Sequence, residues 1–217
     1  MAECTVLPGL FGICIQGLLF VIVCGVLVFK KTREPERSWR DWGLDSSKQI
    51  MGSGWIHILN LFCSTKLDAI LPQGDQCEWY WIQIMVDTTL GVLVEYAVLS
   101  LLLRLLEGII ENGHYFDEVE GKLQFSFKKY TEQMVLWLFV VTVMKFGMVF
   151  LMYAAATPLE AVAGYVLKPF MDNARSKLVV VMILTPMCMN AVQFWIVDNF
   201  LKAHKDYDHL AEDSALS

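Results

Sequence analysis

The chain has 217 residues, 56% of them hydrophobic and 18% charged, and 17 basic against 23 acidic residues leave a net charge of −6. Its mean hydropathy is +0.48. A soluble domain carries roughly 45–50% apolar and about 25% charged residues, so this balance excludes a water-soluble globular fold; without a basic face, a nucleic-acid partner is excluded as well.

A membrane-crossing helix needs about 20 mainly apolar residues. Five runs approach or reach that length, at 9–29, 46–65, 79–106, 134–156 and 178–201. The first has no basic residue before it and ends in Lys30, Lys31 and Arg33, so it reads as a retained helix and not as a signal peptide. The second is the least apolar, with Ser53, His57 and Asn60 inside it and Asp45 or Ser46 as the expected N-cap. The third opens on Trp79, Tyr80 and Trp81, a group suited to a membrane interface. After it, Leu123, Phe125 and Phe127 alternate within 107–130, which predicts a segment on the membrane surface or a short hairpin. The fourth run ends before Pro158, and the fifth contains Pro186, a residue that commonly kinks a membrane helix. The expected fold is a single all-α polytopic membrane helix bundle over 1–201, of about five transmembrane helices, with a short acidic tail at 202–217.

Lys and Arg in the loops set the expected orientation. The first loop has six (Lys30, Lys31, Arg33, Arg37, Arg40, Lys48), the third has four (Arg104, Lys122, Lys128, Lys129) and the tail has two (Lys202, Lys205). The other side has four, Lys66, Lys168, Arg175 and Lys177. The N-terminus is therefore expected in the lumen and the C-terminus in the cytosol. Cys4, Cys63 and Cys77 then lie near the oxidising side, where a Cys4–Cys77 disulfide and free thiols are both open. Cys14, Cys24 and Cys188 sit within apolar runs and read as plain core residues.

Ionisable residues inside a span cost at least ~2.5 kcal/mol on insertion scales and face the bundle interior. Gln49, Ser53, His57 and Asn60 share one face of the second helix. Asp87, Gly91 and Glu95 follow one another at steps of four on the third, as do Asn190, Phe194 and Asp198 on the fifth, with Gln193 beside them. The fourth helix supplies Lys145. At ~1.5 Å per residue, Asn60, Asp87 and His57 lie roughly 7–12 Å deep, and Lys145, Asn190 and Glu95 roughly 16–21 Å deep. These stripes predict one enclosed polar site formed by His57, Asn60, Asp87, Glu95, Lys145, Asn190 and Gln193, with Glu95 or Asp87 as the counter-ion of Lys145. Three readings of it stay open: interhelical hydrogen bonding, worth on average about 0.6 kcal/mol per bond; a site for an ion or lipid head group; or a catalytic site, with His57 or Asp87 as general base. Gln16, alone on the first helix, reads as a packing residue.

A second group, Asp45, Ser47, Lys48, Gln49, Asp198 and Asn199, falls near the expected cytosolic surface. It suits either a phospholipid head group or a partner protein, or ordinary capping and anchoring. The chain has no P-loop, G-x-S-x-G, H-E-x-x-H or EF-hand loop, so no catalytic residue and no cofactor are expected. Whether the polar site takes a metal is open. Membrane lipids are the expected surroundings, and the sequence permits a homo-oligomer without requiring one.

Dispersed motifs then suggest a family. They are Phe11-Gly12-Ile13 with Gln16-Gly17-Leu18-Leu19, Arg33-Glu34-Pro35, Trp39-Arg40, Trp42, and Asp45-x-Ser47-Lys48-Gln49. His57, Asn60, Cys77, Asp87-x-Thr89-x-Gly91, Gly113-x-Tyr115, Lys145 and Val149-Phe150 follow. The fifth helix adds Pro186, Asn190 and Phe194-Trp195-x-Val197-Asp198-Asn199-Phe200-Leu201. In this order, over roughly 11–201, they resemble the STIMATE family of store-operated calcium influx regulators, which also includes fungal vacuolar membrane proteins. The resemblance implies a multi-pass protein of the endoplasmic reticulum that promotes activation of a STIM-type calcium sensor at contacts with the plasma membrane; a vacuolar membrane is the alternative location. The vertebrate members carry a longer charged tail, and Glu95 stands where they have an apolar residue.

Overall fold

The computed structural model describes residues 10–67, 76–119, 122–170 and 174–202. Helix α1 covers Leu10–Arg33 and α2 covers Trp39–Leu67. Next come α3 (Gln76–Val86), a π-helical turn (Asp87–Gly91) and α4 (Val92–Leu105), which form one continuous helix. A hairpin of β1 (Phe116–Val119) and β2 (Lys122–Phe125) leads into α5 (Phe127–Ala154). Helix α6 (Ala156–Leu167), α7 (Ala174–Val179), a second π turn (Val180–Leu184) and α8 (Thr185–Leu201) complete the order. The chain is an all-α membrane helix bundle. Among the described residues three helices are long and apolar enough to cross a membrane, Cys77–Leu105, Phe127–Ala154 and Ser176–Leu201. Helices α1 and α2 have 24 and 29 residues, and at ~1.5 Å per residue each is also long enough to cross the ~30 Å hydrocarbon layer.

Packing is inside-out relative to a soluble protein. Leu18, Val21, Leu93, Tyr96, Phe139, Phe146 and Phe150 all point outward, as side chains facing lipid do. The interior holds two apolar clusters. One joins Trp81, Ile82 and Val86 of α3 to Met144, Met148 and Met152 of α5 and Leu167 of α6. The other joins Val92 and Leu99 of α4 to Leu136, Trp137, Val140 and Val141 of α5 and Val197 and Leu201 of α8. The first π turn lies in the chain between the α3 and α4 contributions, so the polar residues it carries sit at the junction of the two clusters.

Several expectations are corrected. Helix α2 starts at Trp39, with the Ser38 hydroxyl accepting from the Asp41 amide at 3.0 Å. Ser38 is thus the cap, and Asp45 and Ser46 are buried inside the helix. Trp81 belongs to the core and not to an interface belt, and Tyr80 is half-buried. Cys14 and Cys188 are exposed and Cys24 is half-buried, all with free thiols; a small apolar thiol is as much at home facing lipid as facing the core. Cys77 is disulfide-bonded; its partner, like Cys4, the Cys63 side chain and the tail, lies outside the described residues. The segment after α5 is helical, because Ala155 leaves α geometry at φ −113° and ψ 26° while Pro158 falls in the first turn of α6, where a missing amide costs nothing. Pro186 cannot donate to the Met182 carbonyl one turn back, and the second π turn, immediately before α8, absorbs that defect.

The loop with alternating apolar residues is the hairpin. Its register pairs Phe116 with Phe125 and Val119 with Lys122. Leu123, Phe125 and Phe127 are exposed. At its base Asp117 and Lys129 are 2.9 Å apart, and hydrogen bonds from Lys129 and Ser126 hold the Asp117 carboxyl below its usual range.

Candidate functional site

A cavity of about 550 Å³ lies between α1, α2, α3–α4, α5 and α8, a volume within the range of small-ligand sites. Its polar lining comes from the stripes seen in the sequence. Gln49 and Ser53 project from α2, Gln83, Asp87, Thr88 and Glu95 from α3–α4, and Asn190 and Gln193 from α8. Leu19, Phe20 and Val23 of α1 and Trp137 and Val141 of α5 supply apolar wall. The π turn explains how Asp87 and Glu95 reach the same space. Eight α-helical steps leave two residues about 80° apart around the axis. One wider turn uses up an additional residue and brings Glu95 back toward the side of Asp87.

The two carboxylates differ in their partners. Lys145 Nζ lies 2.6 Å from Asp87 Oδ2, and Lys145 is 1% exposed. The structure thus selects Asp87 as the counter-ion of Lys145. Gln83 interacts with the same carboxylate. Glu95, also 1% exposed, has a buried Oε2 with no hydrogen-bond partner among the described residues. Lys145 lies behind Asp87 and does not itself line the cavity. Of the residues expected there, Asp87, Glu95, Asn190 and Gln193 share the space, and Lys145 joins through its ion pair. The side chains of His57, Asn60 and Gln16 lie outside the described residues.

The second group forms a buried ion network at the hairpin end of the bundle. Arg37, in the loop between α1 and α2, grips Asp198 of α8 with two hydrogen bonds, of 2.8 and 3.1 Å, and reaches Asp45 of α2 at 2.6 Å. Lys30 of α1 lies 3.0 Å from Asp198 and donates to Asn199 Oδ1 at 2.6 Å and to the Trp195 carbonyl at 2.7 Å. Gln49 Nε2 donates to Asp198 at 3.1 Å. Lys48 lies 3.4 Å from Asp45 and donates to Gln133 of α5 at 3.1 Å. The Tyr115 hydroxyl donates to Asp45. Gln133 also accepts from the Gly113 amide at 2.9 Å and donates to the Glu111 and His114 carbonyls. Ser47 pairs with Tyr130 at 2.7 Å.

This network draws on α1, α2, α5, α8 and both loops between them. Burial and then the Asp45 carboxylate push the Tyr115 phenol up, so it stays a donor. Burial lowers Arg37, but Asp198 and Asp45 outweigh it and raise the guanidinium above its ordinary value. Asp45, Lys48, Gln49 and Asp198 are buried, so these residues hold one another and are not displayed to a head group or a partner. Sequence reasoning did not single out Lys30, Arg37, Tyr115 and Gln133 as site residues, since two are loop residues and Lys30 read only as a topology signal. Gly113-x-Tyr115 in the resemblance was the available clue.

Comparison with known proteins bears on both groups. The sequence model of the STIMATE family matches residues 77–203. The chain belongs to the STIMATE family. A vacuolar membrane protein of Saccharomyces cerevisiae is 30% identical over 216 residues, covering 91% of this chain and 78% of the yeast protein. No solved structure matches the chain. The family match takes in Asp87, Glu95, Lys145, Asn190 and Gln193 of the cavity region, and Tyr115, Gln133 and Asp198 of the network. The aligned 91% extends the likeness toward the loop that supplies Arg37 and the helix that supplies Asp45.

Proposed function

We propose that this chain is a non-enzymatic regulator of store-operated calcium influx, resident in the endoplasmic reticulum membrane and acting through its helix bundle on a STIM-type calcium sensor. Membership of the STIMATE family carries the reading. The vacuolar membrane is the alternative location, and it is the one the yeast relative's name favours. The ion network supports action through the bundle, because it locks four helices and two loops into one rigid end that a partner can recognise as a unit. With that end in the cytosol, Trp39 and Phe127 are exposed beside basic Arg40 and Lys128, and Cys77, at the opposite end, is on the oxidising side that its disulfide requires.

The test is calcium influx after store depletion in cells lacking their own homologue, with this chain reintroduced. Rescue by the wild type, lost in Asp87→Ala or Lys145→Ala at equal expression, is the expected result. No rescue by a correctly placed, well-expressed chain refutes the proposal.

The cavity favours a second reading, binding of an ion or lipid head group within the membrane. Here the supporting observation is a 550 Å³ space lined by Asp87, Glu95, Asn190 and Gln193. A mass co-purifying with the wild-type chain, and displaced by filling the cavity, is the expected outcome in native mass spectrometry.

A further inference from the structure

The polar atoms left unsatisfied around the cavity are unevenly distributed by type. Glu95 Oε2, Asp87 Oδ1 and Gln49 Oε1 are buried oxygen atoms without hydrogen-bond partners among the described residues, and all three residues line the space. All three atoms are acceptors. The one unpartnered donor among the lining residues, Trp137 Nε1, is turned against Gly52, where an added Cβ would lie 2.4 Å from it. Buried polar groups that have no partner are costly, and a set of acceptors is satisfied by a ligand that only donates or by a cation. An ammonium group has three donors and no acceptor.

Charge points the same way. Lys145 and Asp87 neutralise each other at 2.6 Å. Glu95, 1% exposed, is then the carboxyl group of the lining that has no basic side chain beside it. A buried carboxyl group is held as a carboxylate when a cation lies against it, and one carboxylate matches one positive charge. A divalent ion is poorly matched, since among the described residues no three His, Cys, Asp or Glu side chains gather as ligands. Tyr80 and Trp137 line the same space, and aromatic rings suit an organic cation.

We propose that the cavity binds a monovalent cationic group, a protonated primary amine or an alkali-metal ion, with Glu95 as its charge partner and the Asp87–Lys145 pair as a charge-neutral wall. The proposal rests on the reading of the cavity as a ligand site and names the ligand's chemistry. The amide side chains of Asn190 and Gln193 line the same space and can turn an oxygen toward a bound cation. Position reinforces the assignment. Glu95 sits one turn beyond a π turn, a distortion that is frequent at functional sites, and that turn is what brings its carboxylate toward Asp87.

The experiment uses the full chain purified in a neutral maltoside detergent. Scintillation proximity reads equilibrium binding of radiolabelled ethanolamine and of rubidium-86, the latter standing in for potassium. Native mass spectrometry of the same samples reads any retained mass. We expect saturable binding of at least one probe, weakened by at least about ten-fold in Glu95→Gln, a change equivalent to 1.4 kcal/mol. Ser53→Leu, which narrows the cavity without altering a charge, should weaken it too, and it keeps the test informative if Glu95→Gln misfolds. Ethanolamine binding with no rubidium binding assigns an amine, such as that of a lipid head group; the reverse assigns an alkali-metal ion. Equal binding by wild type and a monodisperse Glu95→Gln overturns the proposal. No probe binding, with a retained mass lost only in Ser53→Leu, overturns the cation while leaving a ligand site. No probe binding and no retained mass overturn both.

Discussion

Asp198→Ala tests whether the ion network holds the hairpin end together. Asp198 is 1% exposed and takes two bonds from Arg37, one from Gln49 and an ion pair from Lys30. Removing it leaves two buried cations short of an anion. Breaking a buried ion pair from one side costs about 3–5 kcal/mol. Here Arg37 keeps Asp45 at 2.6 Å, and Lys30 keeps Asn199 and the Trp195 carbonyl, so about 3 kcal/mol, the lower end of that range, is expected. At about 2–4 °C per kcal/mol for a chain of this size, the melting temperature should fall by about 6–12 °C. Tryptophan fluorescence during heating in detergent reads the shift. Arg37→Met should cost a similar amount. The double variant Asp198→Leu/Arg37→Met should recover much of the loss, because apolar side chains can replace a buried pair with little penalty. An Asp198→Ala melting temperature within about 2 °C of wild type, smaller than the shift expected for 1 kcal/mol, would refute the reasoning, as would a double variant no more stable than the single variants.

Three further outcomes follow from the same physics. Lys145→Met strands Asp87 in the bundle and should cost about 3–5 kcal/mol, read as lost thermal stability that Asp87→Asn in the same chain largely restores. Tyr115→Phe removes the hydroxyl donor to Asp45 and should cost about 1.5–3 kcal/mol, whereas Tyr130→Phe, outside the ion pairs, should cost less. Gly52→Ala sets a Cβ 2.4 Å from Trp137 Nε1; overpacking should lower stability by about 1–3 kcal/mol, and Trp137→Phe should relieve it, both measured by melting temperature.

Much of the bundle and part of the site were legible in the residues. Apolar runs of membrane length marked the helices, since the cost of polar groups in hydrocarbon is large and depends only on composition. Spacing of four drew attention to Asp87, Glu95, Asn190 and Asp198, and the rarity of intramembrane charge predicted a partner for Lys145; the π turn was needed to bring Glu95 to the side of Asp87, and Asn190 and Asp198 fall in different groups. Periodicity alone left Asp87 and Glu95 open as partners of Lys145; the resemblance favoured Asp87, since Glu95 stands where the vertebrate members have an apolar residue, and the structure pairs Lys145 with Asp87. The π turn at Asp87–Gly91 was not legible, because its residues carry no pattern distinguishing them from an ordinary helical turn.

The sequence by itself therefore determined that the chain is a membrane helix bundle and which helix faces are polar, because both follow from local composition and periodicity. Only the tertiary structure decided what those faces do. Asp45, Lys48 and Asp198 looked like surface groups, yet Arg37 and Tyr115 fold back from loops and bury them. Gln49 was assigned to a surface group but bridges the network and the cavity. Such pairings join residues up to 169 positions apart, and their energy depends on desolvation and on geometry that exist only once the helices have packed.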